Sequence, residues 1–448
     1  MFNKPVSQLT EEDIQSVVDN KERESSVLEF KQEISGTDRE KKEIAKDISA
    51  MANAEGGYFI VGIKEKDSQA EAIIGTAKTI GNQPVEAWIE SVLITNIRPR
   101  IAIAPKVVLL QSNPDKVVIV IRIPQSPKRP HMVISEGRNA YYTRHNYQAS
   151  FADEHEVRSM FIESKISDDE MKKFLGSRKL IDENAEDFAI NHTSKQLPLT
   201  LKASERMPEN FVGNPFVLFS ACPRYLEERI DIASDDFRAW LSQKDKIELF
   251  DLSIDFLDYS KTISADSIKS INGVDFKGDG KRLPYRYVEI FRNGYVENGL
   301  ATELMWSHEK IGLMFQIAYF TAAFWQFIKF TKDLYEHIGY FDEIIVTVSL
   351  VEMEGVTLHG FGKKNATEKW SQPYDYMRSF ESAPTCKQKN IKIERRVIAA
   401  ELNDEQIEKL VKEISTRVSN AFGESISKCF DDDGNFDREQ LRGYRNVH

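Results

Sequence analysis

One stretch limits what this chain can fold into more than any other: a helical pattern that runs through paired glycines into an apolar strand. Between Arg39 and Asn53, Ile44, Ala45, Ile48, Met51 and Ala52 recur at helical spacing. Gly56-Gly57 then stops the helix, because glycine accepts the positive φ of a C-terminal cap. Tyr58 to Ile63 follows as a continuous apolar run fit for a central strand. Upstream, Leu28 and Phe30 alternate with Val27, Glu29 and Lys31, the pattern of a short half-buried strand. A strand, a helix, a glycine turn and a second strand in that order require a sheet with a helix packed on it.

The elements that follow extend this unit. Thr10 and Asp13 resemble a capping box before Ile14, Val17 and Val18. Ala72 to Ile74 reads as a strand, Val85 to Ile97 as a helix, and Ile101 to Leu110 and Lys116 to Ile123 as two strands joined at Ser112-Asn113-Pro114-Asp115. Strands at His131 to Ile134 and Ala140 to Thr143, then a polar helix from Asp153 to Ser164, complete a mixed sheet with helices. A chain of 448 residues exceeds one ordinary core. The expected fold class is α+β in two domains: residues 1–165, a charged helical connector over 166–200, and a second α+β domain of unknown type over 201–448. In the latter, strands are expected at Phe211 to Ala221, Tyr285 to Arg292, Gly294 to Glu297 and Ile344 to Leu350. Helices are expected at Asp235 to Leu241, 311–330 and Asp404 to Phe422.

Ile311 to Phe330 has about the length of a bilayer span, but Gln316, Gln326 and Lys329 interrupt it, so it reads as a core helix and no membrane partner is expected. Cys222, Cys386 and Cys429 lie far apart, which excludes a disulfide framework and a zinc ribbon. With no apolar segment after Met1-Phe2-Asn3-Lys4-Pro5, a reducing cytoplasm is the expected location. The net charge is −11, which alone argues against nucleic acid. Yet between Asn96 and Asn146 stand Arg98, Arg100, Lys106, Lys116, Arg122, Lys128, Arg129, Arg138 and Arg144 against Asp115 and Glu136. Such a segment is either a footprint for phosphates or a set of guarded strand edges. Tyr141, Tyr142 and Tyr147 interleave with Arg138 and Arg144, an arrangement that suits stacking on unpaired bases and equally suits ordinary strand packing.

Metal-dependent phosphodiester cleavage needs carboxylates for magnesium or manganese and a cation beside the phosphate. Glu29 and Lys31 share one face of a strand. Glu24 joins them only if Arg23 to Ser26 forms a turn, and Glu65 stands at the end of the next strand. Glu24, Glu29 and Glu65 could then ring one ion, with Lys31 neutralising phosphate charge. The plain alternative is a surface pair of Glu29 with Lys31.

The pattern Glu24-x4-Glu29-Phe30-Lys31, a helix, then Ala52-Asn53-x2-Gly56-Gly57-x4-Gly62-Ile63 resembles the Schlafen-type AlbA-like domain. The strand ending at Gly75 and Tyr141-Tyr142-Thr143-Arg144 add to the resemblance, which covers roughly residues 10–165. It implies nucleic-acid binding, and some eukaryotic members are metal-dependent endoribonucleases acting on transfer and ribosomal RNA. Their catalytic acids fall at Glu24 and Glu29, with an aspartate where Glu65 stands here, and an acid is frequent at the position of Lys64. The resemblance thus implies an RNA-directed nuclease of defence or stress type, or a binding regulator with the same fold. Only one Gly-Gly motif of this kind occurs, so a homodimer is expected to supply the second lobe found in eukaryotic members.

ATP receives no support. No G-x4-G-K-[ST] occurs, and neither the segment from Lys277 to Lys281 nor that from His359 to Lys364 has its spacing or hydroxyl. Asp431 to Asp437 resembles a calcium loop but would put Cys429 and Gln440 at its strongest ligand positions. His131, His145 and His155 are isolated, and Cys222 reads as a buried small residue.

Overall fold

The computed structural model describes residues 2, 6–126, 128–135, 139–178, 215–249, 252–257, 261–274, 283–301, 305–308, 312–359, 384–425, 427, 429–430 and 435–436. Arg138, the glycine-rich segments at 275–282 and 360–364, and most of the acidic run 431–437 lie outside them. The chain is α+β, with seven α-helices among the described residues. It divides into two compact units. The first comprises Met1–Lys172, Leu334–Glu343 and Ile398–Ala400; the second comprises Lys173–Asp333, Ile344–Val397 and Glu401–His448.

In the first unit α1 (Glu11–Asp19) is followed by β1 (Leu28–Lys31), α2 (Asp38–Asn53), β2 (Gly56–Val61), β3 (Ile63–Lys66) and β4 (Gln69–Ile73). Short strands β5 (Thr76–Ala77), β6 (Thr79–Ile80) and β7 (Gln83–Pro84) lead to α3 (Val85–Asn96) and β8 (Ile97–Arg98). Then come β9 (Lys106–Leu109), β10 (Lys116–Pro124), β11 (Met132–Val133), β12 (Ala140–His145), β13 (Gln148–Phe151) and α4 (Glu154–Arg178). The main sheet runs β1-β2-β10-β5, with β9 also on β10. β1 lies parallel to β2, pairing Glu29 with Phe59 and Lys31 with Val61, while β10 is antiparallel to β2.

The alternation of β1 decides its two environments. Leu28 and Phe30 pack with Ile60, Val118 and Val120 under Ile14 and Val17 of α1. On the opposite face, Phe59, Val61, Ile119 and Ile121 meet Ile44, Ile48 and Met51 of α2 and Trp88, Ile89 and Val92 of α3. Glu29 and Lys31 are on this α2 side, at the sheet edge.

Several boundaries differ from the sequence reading: the strand expected over Ile101 to Leu110 is confined to Lys106–Leu109, and the turns on either side of β2 are placed differently. α2 is capped at Ala54, so Gly56 and Gly57 open β2 rather than cap the helix. β2 ends at Val61, and Gly62, with a φ of 108°, turns the chain into a separate β3–β4 hairpin.

The second unit holds a seven-stranded sheet. It is built from β14 (Phe216–Pro223), β15 (Lys261–Ile263), β16 (Ser267–Val274), β17 (Leu283–Phe291), β18 (Val296–Leu300), β19 (Glu343–Val351) and β20 (Ile391–Ile398), in the order β15-β16-β17-β18-β14-β19-β20. Phe219 of the sheet packs on Phe320, Phe324 and Phe327 of the long helix Ile317–Ile338. That helix begins later than the expected residue 311, because Gly312–Gln316 is a strand pairing with Met305–His308 and Thr357–His359. No helix among the described residues is long and apolar enough to cross a membrane. Cys222, Cys386 and Cys429 are buried free thiols.

Candidate functional site

The site grows from the edge of β1. Ahead of that strand the chain makes a tight turn in which Ser25 N–H donates to Leu28 O (3.0 Å) and Leu28 N–H to Ser25 O (3.4 Å). Glu24 N–H donates to Ser68 O (2.9 Å) and Ala70 N–H to Glu22 O (2.9 Å), which ties the turn to the β3–β4 hairpin that carries Glu65. Glu24 is thereby folded back, and its Oε1 accepts from Phe30 N–H at 3.1 Å.

Electrostatics reports the convergence. Burial first, and then the charges of Glu29 and Glu65, push the Glu24 carboxyl up to about 7, against the opposing Phe30 hydrogen bond and Arg144. Glu65 itself is exposed on β3.

Glu29 is held from both sides. Its Oε1 is 3.1 Å from Lys31 Nζ and its Oε2 is 2.7 Å from Arg144 Nη2. Lys31 Nζ also lies 2.9 Å from Asp47 Oδ2, so a chain of alternating charge runs Asp47–Lys31–Glu29–Arg144. Burial lowers the Lys31 pKa, but the Asp47 and Glu29 carboxylates outweigh it and raise it overall, keeping the ammonium charged. Asp47 sits on the buried face of α2, and no pattern reading had singled it out. Its signal was an acid between Ile44 and Ile48, inside an apolar stripe where a charge requires a partner.

The basic residues divide into two groups. Arg144, expected along a nucleic-acid backbone, turns inward because the Ser25–Leu28 turn offers it carbonyls: Nε donates to Ser25 O (3.0 Å) and Nη2 to Leu28 O (3.2 Å). Its side chain is wholly buried, with Nη1 lacking a hydrogen-bond partner. Lys128 is consumed by Asp342 at 2.5 Å. Arg129 pairs with Glu163 and donates to Ala54 O. Arg98 and Arg100 remain exposed, Arg98 donating to the carbonyls of Ile94 and Ile97. One face of the Tyr142 ring is covered by Phe151, stacked at 4.9 Å, and the residue is half-buried against the core.

Asn53 is a second residue whose part emerges only in three dimensions. Its Nδ2 donates to His131 O (3.0 Å) and Tyr142 O (2.7 Å), and its Oδ1 accepts from His131 N–H (2.7 Å), fastening the end of α2 to the β11–β12 region. His131 is buried with Nδ1 2.7 Å from Pro99 O, and burial lowers its pKa to about 4.

Carboxylate oxygens around Glu24, Glu29 and Glu65 are the donor type that magnesium and manganese take. Among the described residues no group of three or more His, Cys, Asp or Glu side chains is assembled to hold a metal ion, and a cation at Glu29 would compete with Lys31 and Arg144.

Residues 24–151 match the protein family described as Schlafen, AlbA_2. No curated protein matches the chain. Among solved structures, the crystal structure of the DIP2311 protein from Corynebacterium diphtheriae is similar at 19% identity and a TM-score of 0.24. That match covers 33% of this chain and 27% of the other, a likeness too slight to carry an argument.

Proposed function

Because residues 24–151 form a Schlafen-type AlbA-like domain, we propose that this chain binds nucleic acid and cuts structured RNA, such as transfer RNA, with a divalent metal ion. One observation carries the reading: the Ser25–Leu28 turn folds Glu24 back so that Glu29 and Glu65 both bear on its carboxyl, which burial above all pushes up to about 7, while Glu29 itself is paired with Lys31. Carboxylates brought toward one another in this way are the ligand type that a hard dication takes. Magnesium or manganese would be held by Glu24, Glu29 and Glu65, and would supply Lewis-acid stabilisation of the phosphate. Lys31, steadied by Asp47, would offset charge on a phosphate oxygen, while Arg98 and Arg100 would meet the backbone from the surface. A cytoplasmic setting, a role in defence or stress, and a second copy of the chain as partner belong to the same reading.

A second reading is a non-catalytic DNA- or RNA-binding regulator. It is favoured by the capture of both Glu29 oxygens by Lys31 and Arg144.

Incubation of the full chain with transfer RNA and manganese separates the two. The nuclease reading expects metal-dependent cleavage that drops on the order of a hundredfold in Glu29→Gln, with RNA retention on a filter unchanged. Binding without cleavage under any divalent metal would leave the regulator.

A further inference from the structure

Helix α4 packs inward through Met160 and Met171, both buried. Its exposed side carries large apolar side chains among the charged ones that solvent favours. Phe161, Ile162 and Ile166 are 55%, 53% and 51% exposed, and an open groove runs along Phe161 and Ile162 between Arg158 and Lys165. Exposed large apolar side chains grouped on one helix face mark an interaction surface.

The charges beside this stripe say what covers it. Along α4 from its start, Glu154 pairs with Arg158; beyond the apolar centre, Asp169 pairs with Lys172 at 3.7 Å. These two pairs therefore run minus, plus, then minus, plus on either side of an apolar centre that also carries the exposed Lys165. A second α4 laid parallel would set like charges against each other. Laid antiparallel about a two-fold axis near Glu163 and Ser164, it brings Glu154 opposite Lys172 of the second copy and Arg158 opposite Asp169 of the second copy. Each pair then occurs twice, as an isologous interface requires. The same reversal sets Phe161 opposite Ile166 of the second copy, and Ile162 opposite Lys165 of the second copy, whose aliphatic stem can lie along the stripe.

We propose that α4 is the self-association surface of this protein, covered by α4 of a second copy in antiparallel orientation. This deepens the second-copy reading above by naming the surface, and it is independent of whether the site cleaves RNA. Exposed residues carry the contact, so substitution there leaves the fold of the first unit intact.

The test is sedimentation equilibrium of the full chain at micromolar concentration, with circular dichroism as the check on folding. Wild type is expected at twice the chain mass. Ile162→Asp should raise the dimer Kd at least tenfold. Arg158→Glu and Asp169→Arg should each weaken the dimer, and the two together should restore it, because the reversed charges again face each other across the axis. A wild-type monomer would overturn both the second-copy reading and this surface. A dimer indifferent to Ile162→Asp, or a charge pair that weakens additively without rescue, would overturn the surface alone.

Discussion

The residue with the most to say about pH is Glu24. Its carboxyl titrates near 7 in the folded protein and near the ordinary 4.5 when unfolded. Between those values the folded protein holds a proton that the unfolded chain has released, so stability falls as pH rises from 4.5 to 7 and is level above. Glu24→Gln stays neutral and can still accept from Phe30 N–H. Thermal unfolding should therefore find it more stable than wild type at pH 8, by about 1 kcal/mol after allowing for the half-exposed setting, and nearly equal at pH 5. A variant less stable than wild type at pH 8 would contradict the raised carboxyl. Glu24, Glu29 and Lys31 were legible as candidates because their types and spacing stand in one short segment. Asp47 and the inward turn of Arg144 were not. Their roles depend on a helix face and a turn more than a hundred residues from Arg144 meeting across the edge of a sheet.

At the scale of elements, the β1–α2–β2 core follows its hydrophobic periods, and what the periods could not show is why two glycines stand at 56 and 57. A Cβ at Gly57 would lie 2.1 Å from Val27 O, the carbonyl that accepts from Tyr58 N–H, on a backbone with φ of 136°. The glycine is needed for close approach of the two parallel strands, not for ending a helix. Gly57→Ala should cost about 3 kcal/mol or more in urea unfolding. Gly81→Ala meets nothing within 4 Å and bears only its left-handed φ of 60°, so it should cost about 1 kcal/mol. Equal costs would remove the steric argument. Helix α4 shows a different limit of local reading: its polar repeat was expected to stop at Ser164 but continues to Arg178. No proline or glycine cap interrupts it before Gly176, so only the structure could set its end.

For the whole molecule, the unexpected feature is that the first unit recruits chain from beyond residue 330. Asp342 receives Lys128 at 2.5 Å in a largely buried pair, and its carbonyl accepts from Ala399 N–H at 3.0 Å. Lys128 thus serves as a bolt within the fold and is withdrawn from any phosphate contact. Lys128→Ala strands a buried carboxylate, and denaturant unfolding should show a loss of about 3 kcal/mol. The salt dependence of RNA binding should keep its slope, since no phosphate contact is lost. A shallower slope with unchanged stability would reverse that assignment. The basic segment read from the sequence is therefore a mixture. Some of its charge is spent on internal carboxylates and carbonyls, and the exposed remainder includes Arg98 and Arg100.

By itself the order of residues determined the succession β1, α2, β2 in the N-terminal third, the α+β class, and the short list of candidate acids and one lysine around β1. These follow from periodicity and from chemical type, both of which are local. Only the tertiary structure decided that the Ser25–Leu28 turn folds Glu24 back toward Glu29, that Asp47 and Arg144 complete the charge chain, and that Lys128 and Arg129 are turned to structural use. The physical reason is the same in each case. A buried charge needs a partner, and which partner it finds is set by elements meeting across the fold rather than along the chain.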